Sequence, residues 1–578
     1  MPRRSAFMAG PRPGGPACCA MLRRVPAGSG AALKSPLPTR YWFFALVVVA
    51  LGVGIACWND GNAWRVLALV AGVLTAIGLW DVTQTRKTLR RNFPILAHVR
   101  YVFEAIRPMM RQYVVEADDD EVPFSHDQRA IVYQRAKLAL ETRPFGTERN
   151  VYANNYEWIN HSMMPAHIDS HDFRVPVGGS QCTQPYSASV FNISAMSFGS
   201  LSPNAIRALN EGARRGGFYH DTGEGSLSPY HRENGGDIVW ELGSGYFGAC
   251  DRAGVFSEAR FVERAVLPQV KMIEVKLSQG AKPGHGGMLP GAKVTREIAE
   301  TRGVPQGEDC ISPARHSAFD SPEGLLRFIA RLRDLSGGKP TGFKLAIGHP
   351  WEWFGIAKAM LTTGIRPDFI VVDGGEGGTG AAPMEFADHV GAPLREALML
   401  VHNTLVGLGL RDEIRIGAAG KIITGFDLAR TLALGADWCN AARGFMFALG
   451  CIQSQSCHTD HCPTGVATQD RTRWRGLDVP DKAERVKNFQ QNTLRALKEL
   501  VAAAGLSHPG ELGPEHIIRR VSGNEVRSLA TLYTFVRPGE LLEQTAAHAV
   551  FQRFWPDARA DSFAPPPGVA EMRWSKLV

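Results

Sequence analysis

The sequence predicts an α/β protein: a (β/α)8 TIM barrel preceded by an N-terminal transmembrane helical hairpin. Three observations predict it. Two uncharged apolar runs precede residue 92, eight short apolar or β-branched runs follow from about residue 190, and Gly-rich loops and helical stretches separate those eight. Strands alternating with helices imply parallel βαβ units, and eight in succession suggest closure. A doubly wound open sheet is the alternative on pattern alone. The bulk numbers agree. Of 578 residues, 44% are apolar and 21% charged, which excludes a disordered chain or a collagen-like repeat. Net charge is +8, yet residues 1–100 alone carry 13 Lys/Arg against Asp60 and Asp81. The remainder is slightly acidic, so no nucleic-acid partner is expected.

Residues 1–40 are basic, rich in Pro and Gly, and read as disordered. Tyr41 to Trp58 is an 18-residue uncharged run, about long enough to cross a bilayer. A secretory signal peptide would have a shorter apolar core and a small-residue cleavage site. A second run, Val66 to Trp80, has 15 residues and is the weaker helix; two buried core helices are the bland alternative. Basic residues flank the outer ends of the pair, so the hairpin (41–92) is expected to keep both termini, and the catalytic domain, cytoplasmic. Residues 93–180 read as a helical and irregular connector that includes the acidic run 118–121. The barrel is placed at 181–480, and C-terminal helices and a tail at 481–578.

The eight predicted strands are 190–197, 217–222, 237–242, 272–277, 342–347, 368–373, 413–417 and 438–442. Reactive groups in such a barrel sit where strands run into the following loops. The sixth strand ends in Asp373-Gly-Gly-Glu-Gly377-Gly378-Thr379-Gly380, whose backbone N–H groups suit an anion. The seventh leads to Gly420-Lys421 and the eighth to Arg443-Gly444. Loops after strands seven and eight are the usual phosphate position, so a phosphate-bearing cofactor is expected. No G-x-G-x-x-G follows a strand at a helix start, so no nicotinamide site is expected. Lys344, inside the fifth strand, is costly to bury without an anion; beside a flavin it would stabilise charge developing near N1. An ordinary core ion pair is the alternative. Gln279 and Lys282 after the fourth strand, with Arg302 as a bidentate clamp, form a candidate carboxylate site.

Ten cysteines are sparse, but Cys451, Cys457 and Cys462 fall within 12 residues and Pro463 follows. Three thiolates at this spacing fit a three-iron cluster. Zinc completed by His458 or His461 is the rival, although the gaps exceed the usual knuckle spacing.

Taken together, Ile193-Ser194-Ala195-Met196-Ser197-Phe198-Gly199-Ser200, Thr222-Gly-Glu224-Gly, Gln279-Gly-Ala-Lys282-Pro-Gly, Gly377-Gly-Thr-Gly-Ala381 and Cys451 through Gln469 resemble the FMN-binding synthase domain of glutamate synthases, over roughly residues 150–510. The resemblance implies FMN, a [3Fe-4S] cluster held by Cys451, Cys457 and Cys462, and reduction of an imine of 2-oxoglutarate to L-glutamate. It places Ser194, Ala195, Met196 and Ser197 against the flavin, and Lys344 on its ring. The Gly377–Gly380 loop, Gly420, Lys421 and Arg443 would hold its phosphate. Glu224 would lie between flavin and cluster, and Gln279, Lys282 and Arg302 on the oxo acid.

Departures from the family pattern shape the expected chemistry. Met288 stands where the family has Gln, and no amidotransferase segment is recognised. Expected partners are therefore an oxo acid with ammonia or an amine, a one-electron donor such as ferredoxin, the membrane, and a separate amidotransferase chain. An N-methylglutamate synthase-like flavoenzyme and a non-catalytic electron-transfer subunit are the rival functions.

Overall fold

The structure, a computed structural model, describes residues 38–85, 87–117, 123–139, 141–142, 144–543 and 548–567. The predicted disordered segment lies outside the described residues up to residue 37, as does the acidic run. The chain forms two compact units, Met1–Val115 and Glu116–Val578. The first unit thus extends past the expected boundary at residue 92.

In the first unit, helices Trp42–Ala56 and Asn62–Thr83 pack against each other. Their backbones come close because small residues face: a Cβ on Gly54 would lie 2.8 Å from the Ala68 nitrogen. The expected lengths are reversed. Asn62–Thr83 has 22 residues and, among the described residues, is the helix long and apolar enough to cross a membrane; Trp42–Ala56 has 15. The uncharged run Val66–Trp80 that follows Arg65 is short in the sequence, but the helix also includes Asn62 and Arg65 at one end and Asp81 at the other.

The second unit is built on a closed parallel barrel of β1 (Phe191–Ile193), β2 (His220–Asp221), β3 (Ile238–Leu242), β4 (Val270–Lys276), β5 (Thr341–Leu345), β6 (Phe369–Asp373), β7 (Arg415–Ala419) and β8 (Trp438–Ala441). Every predicted strand is present, and β8 pairs with β1 to close the ring. The open-sheet alternative is therefore excluded. The first crossover shows why the helices form where they do. Ser202 caps Pro203–Gly216 by accepting from Ala205 N, Pro203 opens it, and Gly217 at φ 71° ends it. Trp240, Trp438, Phe191 and Phe343 are fully buried in the core. An antiparallel hairpin, Arg174–Val177 with Tyr186–Ser189, borders the N-terminal ends of the strands, with Tyr186 donating to Asp237 at 2.9 Å.

Two contacts cross the expected boundaries of the barrel segment. Helix Val479–Ala503, placed beyond the barrel by the sequence reading, packs on its outer layer, where Gln490 donates to the Phe191 carbonyl at 3.3 Å. The connector strand Glu157–Ile159 pairs with Ile517–Ser522 near the C-terminus. Glu157 there meets Arg395, Arg430 and Arg519 at 2.7–2.9 Å.

Candidate functional site

Parallel register puts every strand's C-terminal residue at one end of the barrel, and the Gly-rich loops follow from there. Between them lies a cleft with about 720 Å³ of empty space, its open mouth included. Ser194, Ala195 and Ser197 line it after β1, Gly377 and Gly378 after β6, Gly420 and Lys421 after β7, and Arg443 after β8. A second chamber shares Ala195, Ser197, Glu224, Gln279, Gly378 and Arg443 with the first. It adds Met196, Lys282, Met288, Thr379, Gly380 and Cys457. The expected cofactor residues, two of the three expected substrate residues and one of the three cysteines are thereby brought together.

Two glycines are required by close approach. Gly223 has φ 60°, and a Cβ there would lie 2.8 Å from the Ser197 nitrogen. A Cβ on Gly378 would lie 2.9 Å from Arg443 Nε. Arg443 donates to the Thr379 carbonyl, and its Nη1 lies 3.7 Å from Cys457 Sγ. Lys421 lies over the Phe124 ring at 5.7 Å, and both residues line the cleft.

The floor is charged. Register sets Glu241 beside Glu274 on β3 and β4, and Lys276 beside Lys344 on β4 and β5. Lys344 donates to Glu241 and lies 3.7 Å from Glu274. Burial opposes its charge, but Glu241, Glu274 and Asp221 outweigh that and hold its pKa well above the ordinary lysine value. Among the described residues, Asp221, Glu241 and Glu274 form the one His/Cys/Asp/Glu group with ligand atoms within 4.8 Å of one another. The cation that meets these carboxylates is Lys344 itself. Burial and mutual repulsion raise the pKa values of Asp221 and Glu274, so protons are retained in the cluster. Lys344 is thus an ion-paired core residue that also forms part of the cleft wall.

Glu224 stands on the wall common to both chambers. Burial raises its pKa, but Lys276 Nζ at 2.8 Å, Arg302 and the Ser312 hydroxyl at 3.1 Å overcome this and hold it at about 2. Lys282 donates to the Ala381 carbonyl at 2.7 Å, and burial lowers its pKa to about 8.

Arg302, the third expected substrate residue, lies behind these lining residues. It is 4% exposed and lines neither chamber. Its Nη2 donates to the Phe198 carbonyl at 2.9 Å, and its guanidinium lies over Phe247. Arg302 thereby supports the β1 loop and the charge on Glu224.

Cys451 and Cys462 are buried, and Cys457 is half-buried. Burial raises the Cys451 pKa to about 11. At Cys462 burial has the same tendency, but the Thr464 hydroxyl and the N–H groups of Ala467, Thr464 and Val466 reverse it. Sulfur ringed by N–H donors suits a thiolate ligand. His458 and His461 are exposed, and no Cys/His group among the described residues gathers as a single zinc ion requires. The sequence reading missed Lys293. This buried lysine donates to the carbonyls of Ser200 (2.7 Å), Ala467 (3.1 Å) and Cys457 (3.2 Å), tying the β1 loop to the cysteine loop. Its neighbours Gly291 to Val294 carry no recognisable motif, so only the tertiary contact reveals it.

A family described as "conserved region in glutamate synthase" matches residues 152–507. The glutamate synthase large subunit-like protein YerD of Bacillus subtilis is 36% identical over 518 residues, 81% of this chain and 98% of that one. The archaeal glutamate synthase (NADPH) of Methanocaldococcus jannaschii is 38% identical over 335 residues, 58% of this chain and 62% of its own length. Among solved structures, the recombinant flavin-binding domain of baker's yeast flavocytochrome b2 covers 79% of this chain and 93% of that one, at 13% identity and a TM-score of 0.37. With a family match across most of the barrel unit and a relative aligned over nearly its whole length, the chain belongs to the glutamate synthase family.

Proposed function

We propose that this protein is a membrane-anchored oxidoreductase that binds FMN in the barrel cleft and a [3Fe-4S] cluster at Cys451, Cys457 and Cys462, and that it aminates a 2-oxoglutarate-like oxo acid reductively, using ammonia or an amine. The carrying observation is the pair of adjoining chambers with lining residues in common. One holds the Gly-rich loops and basic side chains suited to a flavin phosphate, and the other runs from Gln279 and Lys282 to Cys457.

When bound, FMN supplies hydride to the imine carbon and the cluster supplies single electrons from a ferredoxin-like donor. The rest falls to the chain. Gly377, Gly378 and Gly420 leave room for the phosphate end, with Lys421 and Arg443 as its counter-charges. Ser194–Ser197 would flank the ring, and Lys344, fixed by Glu241, would present a cation from the floor. Gln279 and Lys282 orient the oxo acid; Lys282 Nζ carries a proton at neutral pH and balances a carboxylate. Glu224, ionised at any physiological pH, keeps Lys276 in place on the shared wall. Preorganised charge and orientation carry the catalysis.

Met288 in the second chamber favours one further reading, an N-alkylated product from a primary amine, because the thioether replaces a polar contact with an apolar one. The anchor reading rests on the Asn62–Thr83 helix and its partner Trp42–Ala56, whose Leu46, Val49, Leu69 and Val73 are exposed. It places the barrel in the cytoplasm. Two measurements test the assignment. Full-length protein purified without air should contain one FMN and about three irons per chain, with the low-temperature EPR signal of an oxidised three-iron cluster. It should also stay in the membrane pellet after a carbonate wash. Stoichiometric zinc without iron refutes the cluster, and release into the supernatant refutes the anchor.

A further inference from the structure

The helix that follows the apolar pair has an unusual surface. Leu96–Met110 is 15 residues long, about 22 Å at 1.5 Å per residue. Leu96, Val99, Val102, Phe103, Met109 and Met110 are all exposed, by 43–64%. At about 100° per residue they fall on one arc of roughly 140°, a continuous apolar stripe. Tyr113 and Val114 continue the exposed apolar surface. The opposite face is engaged at its start, where Ala97 is buried and Tyr101 sits under Lys87 (4.5 Å) and Arg90 (4.9 Å); beyond it Glu104, Ala105 and Pro108 make that side short or polar where it is exposed. Single exposed apolar side chains are commonplace, but a contiguous stripe of this extent marks an interaction surface.

Its position says what covers it. Asp81, in the last turn of Asn62–Thr83, accepts from Ile95 N at 3.0 Å and contacts His98 Nε2 at 2.8 Å. Tyr41, at the start of the other apolar helix, donates to the Arg91 carbonyl at 3.3 Å, and Arg40 donates to Asn92 at 3.2 Å. The first turn of Leu96–Met110 is therefore pinned level with the outer ends of the pair. The exposed indoles of Trp42 and Trp80 lie at those same ends. Aromatic side chains at the ends of a spanning pair mark the boundary between hydrocarbon and headgroups. Charge agrees, since residues 84–111 carry seven Lys/Arg and one acid, Glu104, which pairs with Arg100 at 2.9 Å. Arg100 and Arg107 border the apolar stripe on one side.

We propose that Leu96–Met110 is an in-plane membrane helix, its apolar stripe in the acyl–headgroup boundary and its arginines on anionic lipid phosphates. The proposal rests on the reading of the preceding pair as a membrane anchor, to which it adds a second contact selective for anionic lipid.

The test uses full-length protein in phosphatidylcholine vesicles, with and without phosphatidylglycerol. The photocrosslinking residue benzoylphenylalanine is placed singly at Phe103, at Glu104 on the polar side, or at Leu69 in the apolar pair. Lipid adducts identified by mass spectrometry are expected at positions 103 and 69 but not at 104. Phosphatidylglycerol should raise the yield severalfold at 103 and leave 69 unchanged. Adducts at 69 without any at 103 overturn the in-plane helix and leave the anchor standing. Absence at both overturns the anchor and the helix with it. A protein adduct at 103 identifies a protein partner and overturns the lipid assignment, and equal yields in the two vesicles overturn the selectivity for anionic lipid.

Discussion

The Glu224–Lys276 pair gives a prediction whose sign is set by the structure. Lys276 Nζ lies 2.8 Å from a Glu224 carboxylate whose pKa is held at about 2, against 4.5 for an ordinary glutamate. A depression of that size corresponds to roughly 3 kcal/mol of stability, present above the ordinary pKa and lost as pH falls towards 2. Lys276→Met removes the main stabilising charge, while burial and Arg302 remain. Breaking a buried pair from one side costs about 3–5 kcal/mol, because the other charge is stranded. In the variant burial dominates and the Glu224 pKa moves above its ordinary value. Protonation then relieves the stranded charge, so acidification stabilises the variant relative to wild type. Thermal unfolding in detergent, followed by circular dichroism at about pH 7.5 and about pH 5.5, reads this directly. The melting-temperature deficit of Lys276→Met should shrink at the lower pH. Adding Glu224→Gln should recover about 2 kcal/mol or more at the higher pH. A deficit that grows on acidification, or a double variant as unstable as the two single changes combined, refutes the electrostatic account of this wall.

Two further substitutions separate the cofactor loops. Gly378→Ala puts a methyl group 2.9 Å from Arg443 Nε and displaces the guanidinium, so FMN affinity measured by equilibrium dialysis should fall about 10- to 100-fold with the fold intact. Unchanged affinity would remove Arg443 from the phosphate site. Lys293→Met leaves three carbonyls without their donor and unties the cysteine loop, at a local cost of about 2–4 kcal/mol. Iron content should drop by more than half while FMN is retained; full iron occupancy would show that the staple is dispensable.

The strands were legible because a parallel barrel buries both faces of each one, leaving apolar runs that stand out between Gly-rich loops. Even β2, only two residues long, lay inside such a run. The charged floor was equally visible in principle. Glu241, Glu274 and Lys344 each interrupt a mostly apolar strand, and of these three the sequence reading singles out only Lys344. Which charge meets which depends on register between strands far apart in sequence, and local pattern does not encode that. Arg302 shows the same limit: its spacing after Lys282 suggests a carboxylate contact, while its hydrogen bond to the Phe198 carbonyl emerges only in the fold. The second apolar helix reads short in the sequence because its uncharged run stops at Arg65 and Asp81, whereas the helix extends through both.

The most direct test of the account is anaerobic. Purified full-length protein, its flavin fully reduced by a chemical or ferredoxin-like donor, is mixed with an oxo acid together with ammonia or methylamine, and flavin reoxidation is followed by absorbance. The account predicts that 2-oxoglutarate with ammonia or the amine reoxidises the flavin and yields the corresponding amino acid, while either component alone does not. If no oxo acid–amine pair reoxidises a flavin that an artificial dye oxidises promptly, the amination chemistry is contradicted and an electron-transfer role stands in its place.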